Sequence, residues 1–205
     1  MRHVKSTALH DVCVRRDTSD STHWLRPLAR RLARREAAAL AAAGGLRGVP
    51  RLIAFDGDAV LREYVEGVPM HVAKPGSPAY FKDALRLLAA LHRRGIAHND
   101  LAKEANWLCT PDGRAAIVDF QLAVVRRRRG ALFRALARED LRHLLKHKRT
   151  YLPQRLTARQ RALLARPGPL ARAWARVVKP LYRFVTRKLL GWPERDGPEE
   201  RREGL

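Results

Sequence analysis

The segment from His98 to Ala123, HNDLAKEANWLCTPDGRAAIVDFQLA, constrains the fold of this 205-residue chain more than any other. Pro111-Asp112-Gly113 is a turn signal, because Pro presets one turn dihedral and Gly supplies a positive φ. The apolar run from Ala115 to Val118 follows as a strand, so the turn closes a short hairpin. Asp100 and Asn106 stand ahead of the hairpin, and Asp119-Phe120 ends it. Two acidic groups are therefore carried on either side of one hairpin.

That constellation is what phosphoryl transfer needs. One Asp orients a nucleophilic hydroxyl, while an Asn and a second Asp hold the magnesium that neutralises nucleotide phosphates. The order resembles the catalytic and metal-binding loops of the protein-kinase-like superfamily, where His-Arg-Asp-Leu precedes Asn and Asp-Phe-Gly follows. It is most similar to the atypical bacterial branch, the RIO-type and lipopolysaccharide-kinase-like proteins. The resemblance implies ATP and Mg2+ as cofactors, with Asp100 as catalytic base, Asn106 as catalytic residue and metal ligand, and Asp119 as the main metal ligand. His98 would brace the loop.

Length and composition agree with a folded chain. At 205 residues it can bury one sizeable core or two small lobes sharing a cleft. With 46% hydrophobic and 30% charged residues it reads as a soluble globular protein. No apolar run is long enough to cross a bilayer, and the N-terminus lacks the apolar core of a secretion signal. Cys13 and Cys109 have no metal or redox spacing, which suits a reducing cytoplasm.

Strand and helix signals place further residues. Asp11 to Asp17 reads as a strand and Ser19 to Thr22 as a helix-start signal. Leu25 to Ala43 forms a long helix ended by Gly44-Gly45. Arg51–Phe55 and Ala59–Tyr64 read as strands joined at Asp56-Gly57-Asp58. Glu66 to Pro78 is a linker, and Tyr80 to Arg94 a helix with Phe81, Leu85, Leu88 and Leu91 at helical spacing. This order implies an α+β, compact two-lobed kinase-like fold. Its reduced N-terminal lobe spans 1–67, its mostly helical C-terminal lobe 68–169, and a basic amphipathic helix and tail 170–205. By the same resemblance, Glu36 on the long helix pairs with a basic residue of the preceding strand to position phosphate. Arg15 and Arg16 are the candidates, with Arg16 better placed. Leu61 to Val65 would be the hinge, with backbone groups of Glu63 and Val65 facing the adenine.

Four departures from the family pattern stand out. No glycine-rich phosphate loop precedes Arg16, so either Lys5, Ser6 and Thr7 cover a bound nucleotide or the lid is missing. Arg replaces the expected Lys, and its planar fork differs from an ammonium. Five residues separate Asp100 from Asn106 where four are usual, which calls for a local bulge and makes Glu104 an alternative ligand. Gln121 occupies the position of the usual metal-motif Gly. There is also no Ala-Pro-Glu element downstream, so a long peptide-docking platform is not expected.

The net charge is +22, and residues 121–205 hold 23 basic against 7 acidic side chains, +16 of that total. Such an imbalance favours an anionic partner. Arg126 to Arg129 follow the hairpin as a basic run. Arg138 to Lys148 reads as a helix, with Asp140 available to brace the catalytic loop. From Leu170 to Leu190, Arg172, Arg176, Lys179, Arg183 and Arg187 form a stripe opposite Trp174, Val177, Leu181, Phe184 and Val185. That pattern suits either a lobe-packing helix or contact with an anionic membrane. The resulting expectation is a cytoplasmic ATP-dependent phosphotransferase, with peripheral contact at the inner face of the membrane. Its acceptor would be a protein Ser/Thr or a lipopolysaccharide-core sugar. The alternative is a pseudokinase-type binding module without phosphotransfer. Nucleic acid is not expected, because charge alone points to it.

Overall fold

The structure is a computed structural model that describes residues 2–5, 12–17 and 25–165. The chain divides into two compact units, residues 1–166 and 167–205. The second unit, with the basic stripe expected between Leu170 and Leu190, lies outside the described residues.

The first unit is α+β. Strands β1 (Arg2–Lys5), β2 (Val12–Asp17), β3 (Leu52–Phe55) and β4 (Ala59–Glu63) form an antiparallel sheet in the order β1-β2-β4-β3. Register sets Arg16 opposite Val60 and Val14 opposite Arg62. Side chains alternate along a strand, so Arg16 and Arg62 share one sheet face. The β3–β4 turn closes as its sequence demands: Asp56 accepts the Asp58 and Ala59 backbone N–H groups, and Gly57 takes φ 100°.

Helix α1 (Arg26–Ala43) lies between β2 and β3 in the chain and packs against the sheet. Pro27 occupies its first turn, where a missing N–H costs nothing. Leu25 precedes it without a side-chain cap, and the Ser19–Thr22 signal lies outside the described residues. Gly44, left-handed at φ 55°, ends the helix by donating to the Leu40 and Ala41 carbonyls. The inner face is alanine-rich (Ala33, Ala37, Ala39, Ala43, with Leu40) except for one acid, Glu36, which is also buried.

Part of the expected linker is ordered. Strand β5 (Val68–Pro69) pairs with β7 (Trp107–Cys109), and the short helix α2 (Met70–Ala73) follows β5. Helix α3 (Pro78–Arg93) is capped by the Ser77 hydroxyl and buries Tyr80, Phe81, Ala84, Leu87, Leu88 and Leu91. Strand β6 (Ile96–Ala97) leads into the His98 loop, and β7 pairs with β8 (Ala115–Ile117) as the expected hairpin. After β9 (Val124–Val125), helix α4 runs from Ala131 to Tyr151 and α5 from Ala158 to Ala165. Helix α4 starts well before the expected Arg138, because Gly130 ends the basic run and Phe133 is already buried in the first turn.

One apolar core joins these parts. It includes Ala33 and Leu40 of α1, Phe81 and Leu88 of α3, Ile117 of β8, Phe120, and Leu144 of α4. Helix α1 therefore rests on the Asp119 side of the hairpin, in contact with residues 120–122.

Candidate active site

Two strand pairs bring the ends of the loop region together. β7 and β8 join Trp107 to Ile117 and Cys109 to Ala115, while β6 and β9 join Ile96 to Val125 and Ala97 to Val124. The strand entering the Asp100 loop is thus hydrogen-bonded to the strand leaving the Asp119 loop. Gly95 permits this: at φ 74°, an added Cβ would stand 2.2 Å from the Arg126 carbonyl oxygen. The Arg126 N–H donates back to the Gly95 carbonyl at 2.8 Å.

Asp140 of α4 fixes the loop from beneath. Its Oδ2 accepts the His98 backbone N–H at 2.8 Å and lies 3.2 Å from His92 Nε2. Its Oδ1 accepts the Asn99 N–H at 2.9 Å, with Asn99 in the left-handed region at φ 64°. His98 is fully buried. Its Nε2 lies 3.0 Å from the Val118 carbonyl, and its ring packs edge-on to Phe120 at 4.6 Å. Burial pulls the His98 pKa below its ordinary value, against the opposing pull of Asp140. The imidazole is therefore a neutral donor to Val118, and it ties the Asp100 loop to the Asp119 loop.

The extra residue between Asp100 and Asn106 is absorbed in a tight 3-10 turn, Glu104–Asn106. That turn brings Asn106 Nδ2 to 2.9 Å from the Asp100 carbonyl and 3.1 Å from its Oδ2. Glu104 turns the other way, accepting the Tyr151 hydroxyl and standing 3.7 Å from His147 Nδ1. It is thereby held against α4, while Asn106 sits at Asp100.

Asp119 adopts φ 66° and precedes a second 3-10 turn, Phe120–Leu122. The left-handed residue of this motif is thus Asp119 itself, and Gln121 sits in the helical turn. This accounts for the absence of Gly at 121. Hard divalent cations take oxygen ligands, and magnesium commonly uses one or two protein oxygens beside substrate phosphates. Asp119 Oδ1 is buried without a hydrogen-bond partner. Asn106 donates through Nδ2, and its Oδ1 has no hydrogen bond among the described residues. These two oxygens fit such an ion. No group of three or more His, Cys, Asp and Glu suited to a metal occurs among the described residues, and a two-ligand site does not require one.

Arg16 Nη1 reaches Glu36 Oε2 at 2.9 Å, whereas Arg15 pairs with Asp17 at 3.3 Å. Of the two candidates, Arg16 is the partner. Arg62 also approaches Glu36, with Nε 3.1 Å from Oε1. That nitrogen is not aligned for a hydrogen bond, so the contact is ionic. Glu36, with 2% of its side chain exposed, therefore lies between two guanidinium groups. Arg62 was not singled out from sequence. Its only signal was a charge in an apolar strand, at the position facing Val14 across β2.

Lys103 is a second residue that sequence reasoning passed over. Its ammonium lies 2.7 Å from Asp100 Oδ2, and this hydrogen bond is the main cause raising its pKa. At 61% exposure it remains open to solvent beside the candidate base. The i,i+3 spacing after Asp100 was the available clue.

At the expected hinge, the Glu63 carboxylate turns outward to Arg51, 3.9 Å away. The backbone N–H and C=O of Val65 make no hydrogen bond among the described residues, as a nucleobase-facing segment requires. A cavity of about 780 Å³ lined by Glu63, Tyr64 and Val65 faces α3 and the β7–β8 turn. None of the candidate residues Arg16, Glu36, Asp100 and Asp119 lines it, so it is distinct from that cluster.

A family model described as RIO domain matches residues 5–160 of the chain. Among solved structures, the Rio2 kinase from Chaetomium thermophilum superposes with a TM-score of 0.53 at 17% sequence identity. The match covers 74% of this chain and 50% of that one, so the chain spans about half the length of that kinase. At this identity the likeness shows the fold.

Proposed function

The chain belongs to the RIO domain family, an atypical branch of the protein-kinase-like fold, and on that premise we propose that it is an ATP-dependent phosphotransferase. It moves the γ-phosphoryl group of ATP to an acceptor hydroxyl. The observation that carries this reading is the convergence of Asp100, Asn106 and Asp119 on one doubly paired hairpin, with Asp119 Oδ1 buried and unpartnered.

Asp100 accepts the proton of the acceptor hydroxyl as the oxygen attacks phosphorus. Asn106 holds that carboxylate in place, and Lys103 offsets its charge before substrate arrives. Asp119 and Asn106 would hold magnesium, which supplies neutralisation of the phosphate charge when bound. Arg16, oriented by Glu36, presents its remaining guanidinium donors to the nucleotide phosphates. The hinge backbone at Glu63 and Val65 faces the adenine. Such a site works by positioning and electrostatics, so a reduced phosphate lid is compatible with turnover.

The acceptor is a protein Ser/Thr hydroxyl or a sugar hydroxyl of a lipopolysaccharide core. Family membership supports the former. The basic stripe of residues 170–190 supports the latter, with the protein in the cytoplasm against the inner membrane face. Radiolabelled transfer from ATP and magnesium, with protein, with lipopolysaccharide and with no acceptor, separates these outcomes. Asp119→Ala is expected to abolish transfer in every arm while leaving the unfolding midpoint in place. Unchanged turnover in that variant would remove Asp119 from the metal site.

A pseudokinase-type binding module is the second reading, favoured by Arg16 in place of Lys and by the sharing of Glu36 with Arg62. It calls for no magnesium-dependent stabilisation by ATP in a thermal-shift titration.

A further inference from the structure

A cavity of about 520 Å³ opens between α3 and the corner where α4 ends, within the range of small-molecule sites. Five cations line it: Lys82, Arg86 and Arg93 of α3, Lys148 of α4, and Arg155 just beyond. Among the described residues no carboxylate does. Leu85, Ala89 and Leu152 form an apolar floor.

Among the described residues, ion-pair partners for these cations are missing as well. Lys148 is 8% exposed, and its ammonium has one neutral partner, the Gln160 side-chain oxygen at 3.0 Å. Burial lowers its pKa, the expected result for an ammonium desolvated without a compensating anion. Lys82, Arg86, Arg93 and Arg155 have no side-chain hydrogen bond or ion pair among the described residues. Arg86 and Arg93 also border the cavity behind the hinge. Four acids line that cavity: Glu63, Asp83 and Asp112 already pair with Arg51, Arg114 and Arg47, and Glu66 makes no ion pair with Arg86 or Arg93.

Five like charges around one cavity repel each other, and burying one of them adds a desolvation cost. A solvated basic face would leave every cation in water, yet here Lys148 is buried in a cavity it shares with Leu85 and Leu152. From Lys82 to Arg93 the helix rises about 16 Å at 1.5 Å per residue. One phosphate cannot span that length, but two or more on a compact scaffold can. Guanidinium forks match phosphate oxygens in pairs, and the ammonium serves as a point charge.

We propose that this cavity is a second anion site, built for a compact ligand carrying two or more phosphate groups, either free in solution or as a lipid headgroup. The apolar floor takes the ring or carbon scaffold, and the five cations take the phosphates. The site stands apart from Asp100 and Asp119 and holds whether or not the chain transfers phosphate.

The test uses the full chain at physiological salt with two probes. The first is inositol hexakisphosphate followed by calorimetry. The second is phosphatidylcholine vesicles with or without a few per cent of phosphatidylinositol bisphosphate, followed by co-sedimentation. The exposed pair Arg86→Ala/Arg93→Ala leaves the core intact, and Lys148→Met probes the buried cation. Arg149→Ala/Arg161→Ala removes the same charge outside the cavity. Saturable 1:1 binding of at least one probe, weakened tenfold or more by both cavity variants and less than twofold by the control, is expected. Binding of the soluble probe alone marks a free ligand, and phosphoinositide-dependent sedimentation marks a headgroup. Equal weakening in cavity and control variants, or no saturable binding of either probe, overturns the proposal.

Discussion

Replacing Asp140 by Asn isolates the role of a single buried carboxylate beneath the His98–Asn106 loop. Asp140 is 1% exposed, and each of its oxygens accepts one backbone N–H, from His98 at 2.8 Å and from Asn99 at 2.9 Å. An amide keeps the shape but offers one acceptor oxygen, so one of these N–H groups must face an NH2. Losing a charge-assisted bond inside the fold costs about 1.5–3 kcal/mol, and the surviving bond weakens by about 1 kcal/mol as its acceptor becomes neutral. The expected loss is therefore about 2.5–4 kcal/mol. For a chain of this size that lowers the thermal midpoint by about 10 °C. Urea unfolding followed by tryptophan fluorescence measures it directly, because Trp107 is fully buried beside the hairpin. Under conditions where the variant stays folded, kcat should fall more than the KM for ATP rises, since Asn99 at φ 64° is released next to Asp100. A loss below about 1 kcal/mol would refute the reasoning, because water would then be replacing both bonds at no cost.

Gly95→Ala should destabilise by about 2–4 kcal/mol, since its Cβ meets the Arg126 carbonyl and its φ is positive. A thermal midpoint within a degree of the parent would mean the β6–β9 pair shifts freely. Glu36→Gln leaves the buried Arg62 and the partly exposed Arg16 without this counter-charge, and about 3–5 kcal/mol is expected to be lost. Arg62→Met in the same background should restore part of that loss, and a strictly additive double variant would show that the two side chains are not coupled. His98 gives a pH signature. Its folded pKa lies below the ordinary 6.5 through burial, so its contribution is complete above about pH 6.5 and is lost as pH falls through the folded value. Stability measured from pH 7.5 to 5 should decline, with a smaller slope in His98→Gln. An unchanged slope would assign the decline to other groups.

Much of the fold was legible because its elements carry local signals. The Gly44 stop on α1, the Asp56 turn and the hairpin around Gly113 all form where the residues require. The strand at Val68–Pro69 was not legible, because two residues have no period, and their pairing with β7 is a tertiary event. The early start of α4 was also hidden. The run Arg126–Arg129 suits a phosphate contact as well as a solvated turn, and nothing local shows that Phe133 will be buried.

The site divides along the same line. Asp100, Asn106 and Asp119 are legible as candidates because they lie on one continuous segment, and the Arg16–Glu36 pair because its strand precedes the helix that carries Glu36. The bulge between Asp100 and Asn106 was a matter of counting, but its form was not. Only the folded turn shows Asn106 joined to Asp100 and Glu104 drawn to Tyr151. Arg62 is the clearest case of what sequence conceals. Strand alternation gives it a face, yet only the β2–β4 register sets that face toward Glu36. The consequence is electrostatic: one buried carboxylate shared by two guanidinium groups leaves a net positive charge at the sheet face that carries Arg16. In a site with no glycine-rich lid, that surplus can hold nucleotide phosphates where backbone N–H groups would otherwise do so. Under the phosphotransferase reading proposed above, Arg16 and Arg62 act together on the phosphates, and Arg62→Met should weaken nucleotide binding even though Arg16 and Glu36 remain paired; under the pseudokinase reading it should leave ATP binding unchanged.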